Sequence, residues 1–123
     1  VSYSQQTIME AITLLHRVKA RLQQGWCQGH YAINSNGRVV SWDDSTAVAW
    51  CFSGAMNLES YYSKLGEFSS AREIANKAIV RVMPNRYRYI ERYNDDIQCT
   101  AKQVIGLVDQ AIEYLARQKG ECA

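Results

Sequence analysis

Trp26-Cys27-Gln28-Gly29-His30-Tyr31-Ala32-Ile33-Asn34-Ser35-Asn36-Gly37-Arg38-Val39-Val40 is the stretch that separates this chain from an all-helical protein. Asn36-Gly37 is a turn signal, because both residues accept positive φ at little steric cost. It lies between two short apolar runs, about Tyr31–Asn34 and Arg38–Ser41, which predicts a β-hairpin. A lone two-stranded hairpin is marginal in water, so it must lie against something else.

That something is helical. Upstream, Ile8, Ala11, Ile12, Leu15, Val18 and Leu22 recur at helical spacing and predict a helix over about 4–24. Gly25 stops it, and Arg17, Lys19 and Arg21 complement its C-terminal dipole. Downstream, Val48, Cys51, Ala55, Leu58, Tyr62 and Leu65 step by three and four, which predicts a helix over about 45–65. Asp43-Asp44-Ser45-Thr46 would cap it, Gly66 would end it, and the small pair Gly54-Ala55 would let another backbone approach.

Ser70-Ala71-Arg72-Glu73 and Thr100-Ala101-Lys102-Gln103 both match the capping-box pattern. They predict helices over about 70–83 and 100–118. The first carries Ile74, Ala75, Ala78, Ile79 and Val82 and closes at Pro84. The second carries Val104, Leu107, Val108, Ala111, Ile112 and Leu115. A short helix over about 86–93 lies between them. The expected fold is therefore α+β and mostly α: one domain over 1–123, a bundle of four to five helices with a small β-hairpin packed against it.

Size and composition agree. A chain of 123 residues buries roughly 65–70% of its unfolded surface, enough for a core without disulfides or metal. No apolar run reaches the roughly 18–20 residues of a membrane span. The opening Val1-Ser2-Tyr3-Ser4-Gln5-Gln6 lacks the basic and apolar regions of a signal peptide, and its missing Met suggests a trimmed start. A net charge of +2 is too small to imply nucleic acid. Cys27, Cys51, Cys99 and Cys122 admit two disulfides. Without a secretion signal they read instead as reduced cytosolic thiols.

Arg81, Arg86, Arg88 and Arg92 alternate with Tyr87, Tyr89 and Tyr93, and with Glu91 the segment has a net charge of +3. On a continuous helix Arg88 and Arg92 would share a face, as would Tyr89 and Tyr93. Guanidinium groups beside aromatic planes suit phosphates, nucleotides or acidic protein surfaces. The bland alternative packs the tyrosines inward while the arginines reach water. Trp26, Trp42 and Trp50 flank the hairpin and are expected to weld it to the helices, with a pocket between Trp26 and Trp50 as the alternative. Asn94 and Asp95, with Asp96, are expected to fix the loop before the last helix, with Asn94 tying the hairpin or the Gly25-Trp26 loop to this turn.

Other chemistry ranks lower. Cys51 on an apolar stripe reads as a small hydrophobe, although His16 and His30 are available as bases for a nucleophile. Cys27-x-x-His30 is half of a zinc pattern without its partner pair, so neither a metal nor a cofactor is expected. The dinucleotide, Walker, nucleophile-elbow and zinc-protease motifs are absent.

The blocks Gly25-Trp26-x-Gln28-Gly29, Ala49-Trp50-Cys51-x-x-Gly54-Ala55, Tyr93-Asn94-Asp95 and Thr100-x-x-x-Val104, with Ala32 and Gly37 between them, resemble a family of small bacterial and phage proteins known as a domain of unknown function. The resemblance covers most of the chain. Asn34 and Asn36 stand where that family tends to carry Asp, and Asp96-Ile97-Gln98-Cys99 where it often shows Pro and Gly. It implies the fold boundaries and a cytosolic or phage-encoded origin, and it brings no activity.

The leading functional expectation is a small cytosolic, non-enzymatic binding module, regulatory or inhibitory toward a protein partner. Its candidate binding residues are Arg81, Arg86, Tyr87, Arg88, Tyr89, Arg92, Tyr93, Trp26, Trp50, Asn94 and Asp95, with no catalytic residue assigned. Homo-oligomerisation is a further possibility. The alternatives are a small-molecule or nucleotide binder and a thiol-dependent enzyme.

Overall fold

The computed structural model describes residues 3–66 and 69–121. The expectations for Val1 and Cys122 fall outside them. The chain order is α1 (Gln5–Gln24), β1 (Ala32–Asn34), β2 (Val39–Val40), β3 (Ala47–Trp50), α2 (Phe52–Tyr62), α3 (Ser70–Val82), α4 (Ile90–Asp95) and α5 (Ala101–Glu121). The fold is α+β and mostly α, as the periodicity predicts. No helix among the described residues is long and apolar enough to cross a membrane.

Helix α1 is the axis of the bundle and contacts α2, α3 and α5. Ser4 caps it by accepting from the Thr7 amide at 3.1 Å. Its predicted stripe is buried, with Leu14 added and Ile12 half-buried. Each fully buried aliphatic side chain of this kind contributes about 1.5–3 kcal/mol. Helices α3 and α5 bring Ile74, Ala75, Ala78 and Ile79, and Val104, Leu107, Val108, Ala111 and Leu115, to the same core. The Thr100 capping box forms in both directions, with Gln103 N to Thr100 Oγ1 at 3.2 Å and Thr100 N to Gln103 Oε1 at 2.9 Å. The other box shifts by one residue. Ser69 caps α3 through the Arg72 amide, while Glu73 pairs with Lys77 at 2.9 Å instead.

The hairpin forms, with a difference in its turn. Gly37 alone takes positive φ, at 76°, and Asn36 does not. Asn34 Oδ1 accepts from the amides of Asn36 and Arg38, both at 3.0 Å, and so shapes the turn from its first residue.

The predicted helix over 45–65 is corrected. Its first part is strand β3, which pairs antiparallel with β1 through Ala32↔Trp50, Ile33↔Ala49 and Asn34↔Ala47, with a bulge between Ile33 and Asn34. The sheet order is β2-β1-β3. Val48 and Cys51 fit a helical stripe, but Val48 is exposed on the strand and Cys51 is the N-cap of α2. Asp44 caps a turn rather than a helix, accepting from the amide and hydroxyl of Thr46 at 2.8 and 2.6 Å. The strand wins because partners lie on both sides. Beyond β1, Trp50 donates its amide to Gly25 O at 3.0 Å and accepts from Cys27 N at 3.2 Å.

Helix α2 also ends early, at Tyr62. Lys64 takes the left-handed conformation at φ 57°, and the Lys64 and Leu65 amides return to the carbonyls of Tyr61 and Ser60. The short helix expected over 86–93 begins only at Ile90. Tyr87 N closes a turn on Pro84 O, and Tyr89 is extended at φ −130°, ψ 143°. Arg88 and Tyr89 therefore precede α4, and the shared helical faces with Arg92 and Tyr93 do not form.

Candidate functional site

Asn94 is the organising residue. Its side chain is 1% exposed and makes four hydrogen bonds. Oδ1 accepts from Trp26 Nε1 and from the Phe52 amide, both at 2.9 Å. Nδ2 donates to Cys27 O at 3.1 Å and to Asp95 Oδ1 at 2.9 Å. Gln28 Nε2 donates to the carbonyls of Asn94 and Asp96, and the Gly29 amide, at φ 80°, donates to Asp95 Oδ1. The loop after α1, the start of α2 and the end of α4 are thus fastened to one another. This is the tie expected of Asn94. Two glycines permit it, since a Cβ at Gly25 would overlap Val48 O and one at Gly54 would overlap Tyr31 O.

The tryptophans serve the same assembly. Trp26 spends its N–H on Asn94, and Trp50 donates its own to Trp42 O at 3.2 Å while being 4% exposed. The Arg21 guanidinium lies 4.8 Å from the centre of a Trp50 ring and pairs with the buried Glu59 at 2.8 Å. Trp26 and Trp50 therefore act as framework at these contacts.

The arginine–tyrosine segment divides. Arg81 lies over Tyr114 of α5 at 6.0 Å. Arg86 stacks on Tyr87 at 4.9 Å, Tyr87 meets Tyr93 edge-on at 5.2 Å, and Tyr87 Oη donates to Asp96 Oδ2 at 2.5 Å. These last residues line a cleft of about 230 Å³ with Pro84 and Cys99. Arg92 is exposed on α4. Arg88 and Tyr89 turn the other way.

They roof a cleft of about 310 Å³ between α2, α3 and the start of α4. Phe52, Met56, Ile79 and Ile90 supply apolar lining, and Ser53, Asn57, Asn76, Arg72 and Tyr31 supply polar groups. Arg72 donates to Asn57 Oδ1, and neither Arg72 nor Arg88 makes an ion pair among the described residues. Tyr31 and Tyr89 are 55% and 60% exposed. Arg72, Asn57, Asn76 and Tyr31 were not among the sequence candidates. Asn57 and Arg72 are separated in sequence by the end of α2 and the following turn, so no motif joins them.

A neighbouring cleft of about 270 Å³ is lined by Gly29, His30, Tyr31, Val39, Val40, Cys51, Ser53, Glu91 and Asp95. Cys51 sits at the N-terminus of α2, and its Sγ accepts from the Gly54 amide at 3.3 Å. That position favours a thiolate, but burial outweighs it, and the carboxylates of Asp95 and Glu91 add to burial, so the Cys51 thiol is pushed up. Burial chiefly, then Cys51 and Asp95, pushes the Cys27 thiol up to about 11. Cys27, Cys51 and Cys99 are free, and no group of three metal-ligating side chains occurs among the described residues.

Residues 7–114 match the model of a family of unknown function, DUF6197. The chain belongs to that family. No curated protein and no solved structure matches it. The DUF6197 match runs from α1 well into α5, so it takes in the Asn94 assembly and both neighbouring clefts. In this DUF6197 chain the Asn94 polar cluster fastens the fold, and the Arg72–Arg88 cleft lies beside it.

Proposed function

We propose that this protein is a small non-enzymatic binding module that takes an acidic segment of a protein partner into the cleft between α2, α3 and the start of α4. The carrying observation is the pair Arg72 and Arg88, both on one cleft and both without a carboxylate partner among the described residues. Guanidinium groups form forked hydrogen bonds to carboxylates, and Tyr31, Tyr89, Asn57 and Asn76 add aromatic surface and amide groups. Arginine and tyrosine anchors over an apolar floor are the composition of interface centres. A regulatory or inhibitory role in the cytoplasm of a bacterium or of a phage-infected cell fits this reading.

The test is crosslinking of the protein to its partners in its own host, comparing Arg88→Glu with Arg92→Glu. Arg88 makes no hydrogen bond or ion pair among the described residues, so its reversal should change stability by less than about 0.5 kcal/mol. A crosslinked partner lost in Arg88→Glu and kept in Arg92→Glu supports the cleft. Equal loss in both, or in neither, overturns it.

A small anionic ligand, such as a nucleotide, is a second reading, favoured by the cleft volume of about 310 Å³. Native mass spectrometry of protein from its host separates the two. An added small mass selects the ligand, and a clean mass selects the protein partner.

A further inference from the structure

The cleft at Arg72 and Arg88 does not end at α2. It shares Tyr31, Ser53 and Glu91 with the neighbouring cleft, so the two are successive parts of one surface. The sill between them is a hydrogen bond from Ser53 Oγ to Glu91 Oε1 at 3.2 Å. On the near side stand two guanidinium groups. On the far side stand Asp95 and His30, and Glu91 bounds both. Glu91 and Asp95 are four residues apart on α4, one helical turn or about 6 Å along its axis. The sign of the field therefore reverses along the surface.

The far end has capacity for a cation. Asp95 Oδ1 is engaged by Gly29 N and Asn94 Nδ2, while Glu91 meets only the Ser53 hydroxyl among the described residues. Neither carboxylate pairs with a Lys or Arg among those residues. Both line the cleft that Cys51 also faces, and after burial they help push its thiol up. Val39 of the edge strand β2 is 58% exposed beside it and Tyr31 55%, so apolar surface continues across the sill.

We propose that the two clefts form one charge-graded trough for an extended segment of the partner, holding an acidic side chain at Arg72 and Arg88 and a basic side chain of the same segment at Glu91 and Asp95. This rests on the binding reading above and adds the polarity of the partner. An extended chain suits the trough because it runs from α3 across the start of α2 to β2, farther than either cleft alone. Opposite charges at its two ends also fix direction, because a reversed segment meets like charge at both ends.

The experiment titrates the full chain with synthetic glycine–serine nonapeptides and follows backbone amide shifts by NMR, which detects millimolar binding. One set carries a single Glu, one a single Lys, and one both at spacings of two to five residues in either order. The proposal expects mixed-charge peptides of one order to bind about tenfold tighter than Glu-only peptides, a difference of about 1.4 kcal/mol. Shifts should fall at Tyr31, Ser53 and Arg88. Glu91→Gln should remove the preference for Lys but keep Glu-only binding, and Arg88→Gln should weaken both. If mixed and Glu-only peptides bind alike, the graded trough is overturned and the acid-binding cleft stands. If no peptide shifts either cleft, both are overturned.

Discussion

The indole nitrogen of Trp26 donates to Asn94 Oδ1 at 2.9 Å across 68 positions of sequence, and the same oxygen accepts from the Phe52 amide. One buried amide therefore sets the loop after α1 against the first residue of α2. Replacing Asn94 by Ala strands the buried Phe52 amide, the part-buried Trp26 indole N–H and the Cys27 carbonyl, groups that cost roughly 1–3 kcal/mol each when desolvated without a partner. Asn94→Ala should lose about 3 kcal/mol or more in urea unfolding. Asn94→Asp keeps both acceptor bonds but places a carboxylate against Cys27 O and the Asp95 carboxylate, so it should not rescue. A near-native midpoint for either variant would show that the assembly is not what holds the fold.

Glycine in a helix costs about 1 kcal/mol relative to alanine, yet two helical glycines here should respond in opposite directions. Gly54 in α2 faces Tyr31, whose carbonyl oxygen a Cβ would overlap. That oxygen also accepts from Cys51 N at 3.2 Å, so it cannot move without opening the junction of β3 and α2. Gly54→Ala should destabilise by more than about 3 kcal/mol, the range of severe overpacking. Gly106 in α5 has open space around the same position. Gly106→Ala should stabilise by about 0.5–1 kcal/mol. Thermal unfolding of the two variants beside the parent reads both signs.

What was legible in the sequence follows the same division between local and long-range causes. Helices α1, α3 and α5 carry stripes long enough to be decided by period alone, and their buried residues are largely those predicted. Asn34 to Arg38 builds its turn from neighbouring groups, so it too was readable. Residues 47–50 were not. Four residues fit a helical and an extended period equally well, and partners at Gly25, Cys27 and Ala32–Asn34 decide between them. At the site, Arg88 and Tyr89 were visible as residue types but not in their direction, because Tyr89 is extended where a helix was expected. Arg72, Asn57 and Asn76 join them only because α2 and α3 both pack on α1, which leaves no local signal.

The hydrogen bond from Tyr87 Oη to Asp96 Oδ2, helped by the Gln98 amide on Oδ1, holds the Asp96 carboxyl below its ordinary range. A carboxyl whose pKa is depressed by folding stabilises above its unfolded value, about 3.9, and loses that contribution as pH falls through the folded value. Tyr87→Phe removes the stronger of these two hydrogen bonds. The stability difference between parent and Tyr87→Phe should therefore be largest near neutral pH and shrink below about pH 4. Because Asp44 and Glu73 are depressed by other partners, both proteins should lose stability in acid, and only their difference reports on Tyr87. A difference that stays constant down to pH 2, measured by urea titration, would assign the cost of the substitution to lost ring contacts alone.

The thiols distinguish a binding module from an enzyme. A nucleophilic cysteine needs a depressed pKa and access, and the start of a helix is a place where proteins provide the first. Cys51 occupies such a place, but it is 8% exposed and faces a cleft lined by Glu91 and Asp95. Cys27 is 8% exposed, and burial pushes its thiol up to about 11, which keeps it protonated at neutral pH. Cys99 is half-buried and more accessible than either. Alkylation at pH 7.5, followed by peptide mass mapping, should therefore modify Cys99 before Cys27 and Cys51, and moderate urea should accelerate the latter two together as the Cys27 amide parts from Trp50 O, next to Cys51. Labelling of Cys51 in the folded protein as fast as a free thiol, rising with an apparent pKa near 7, would replace the binding reading with thiol chemistry at this cleft.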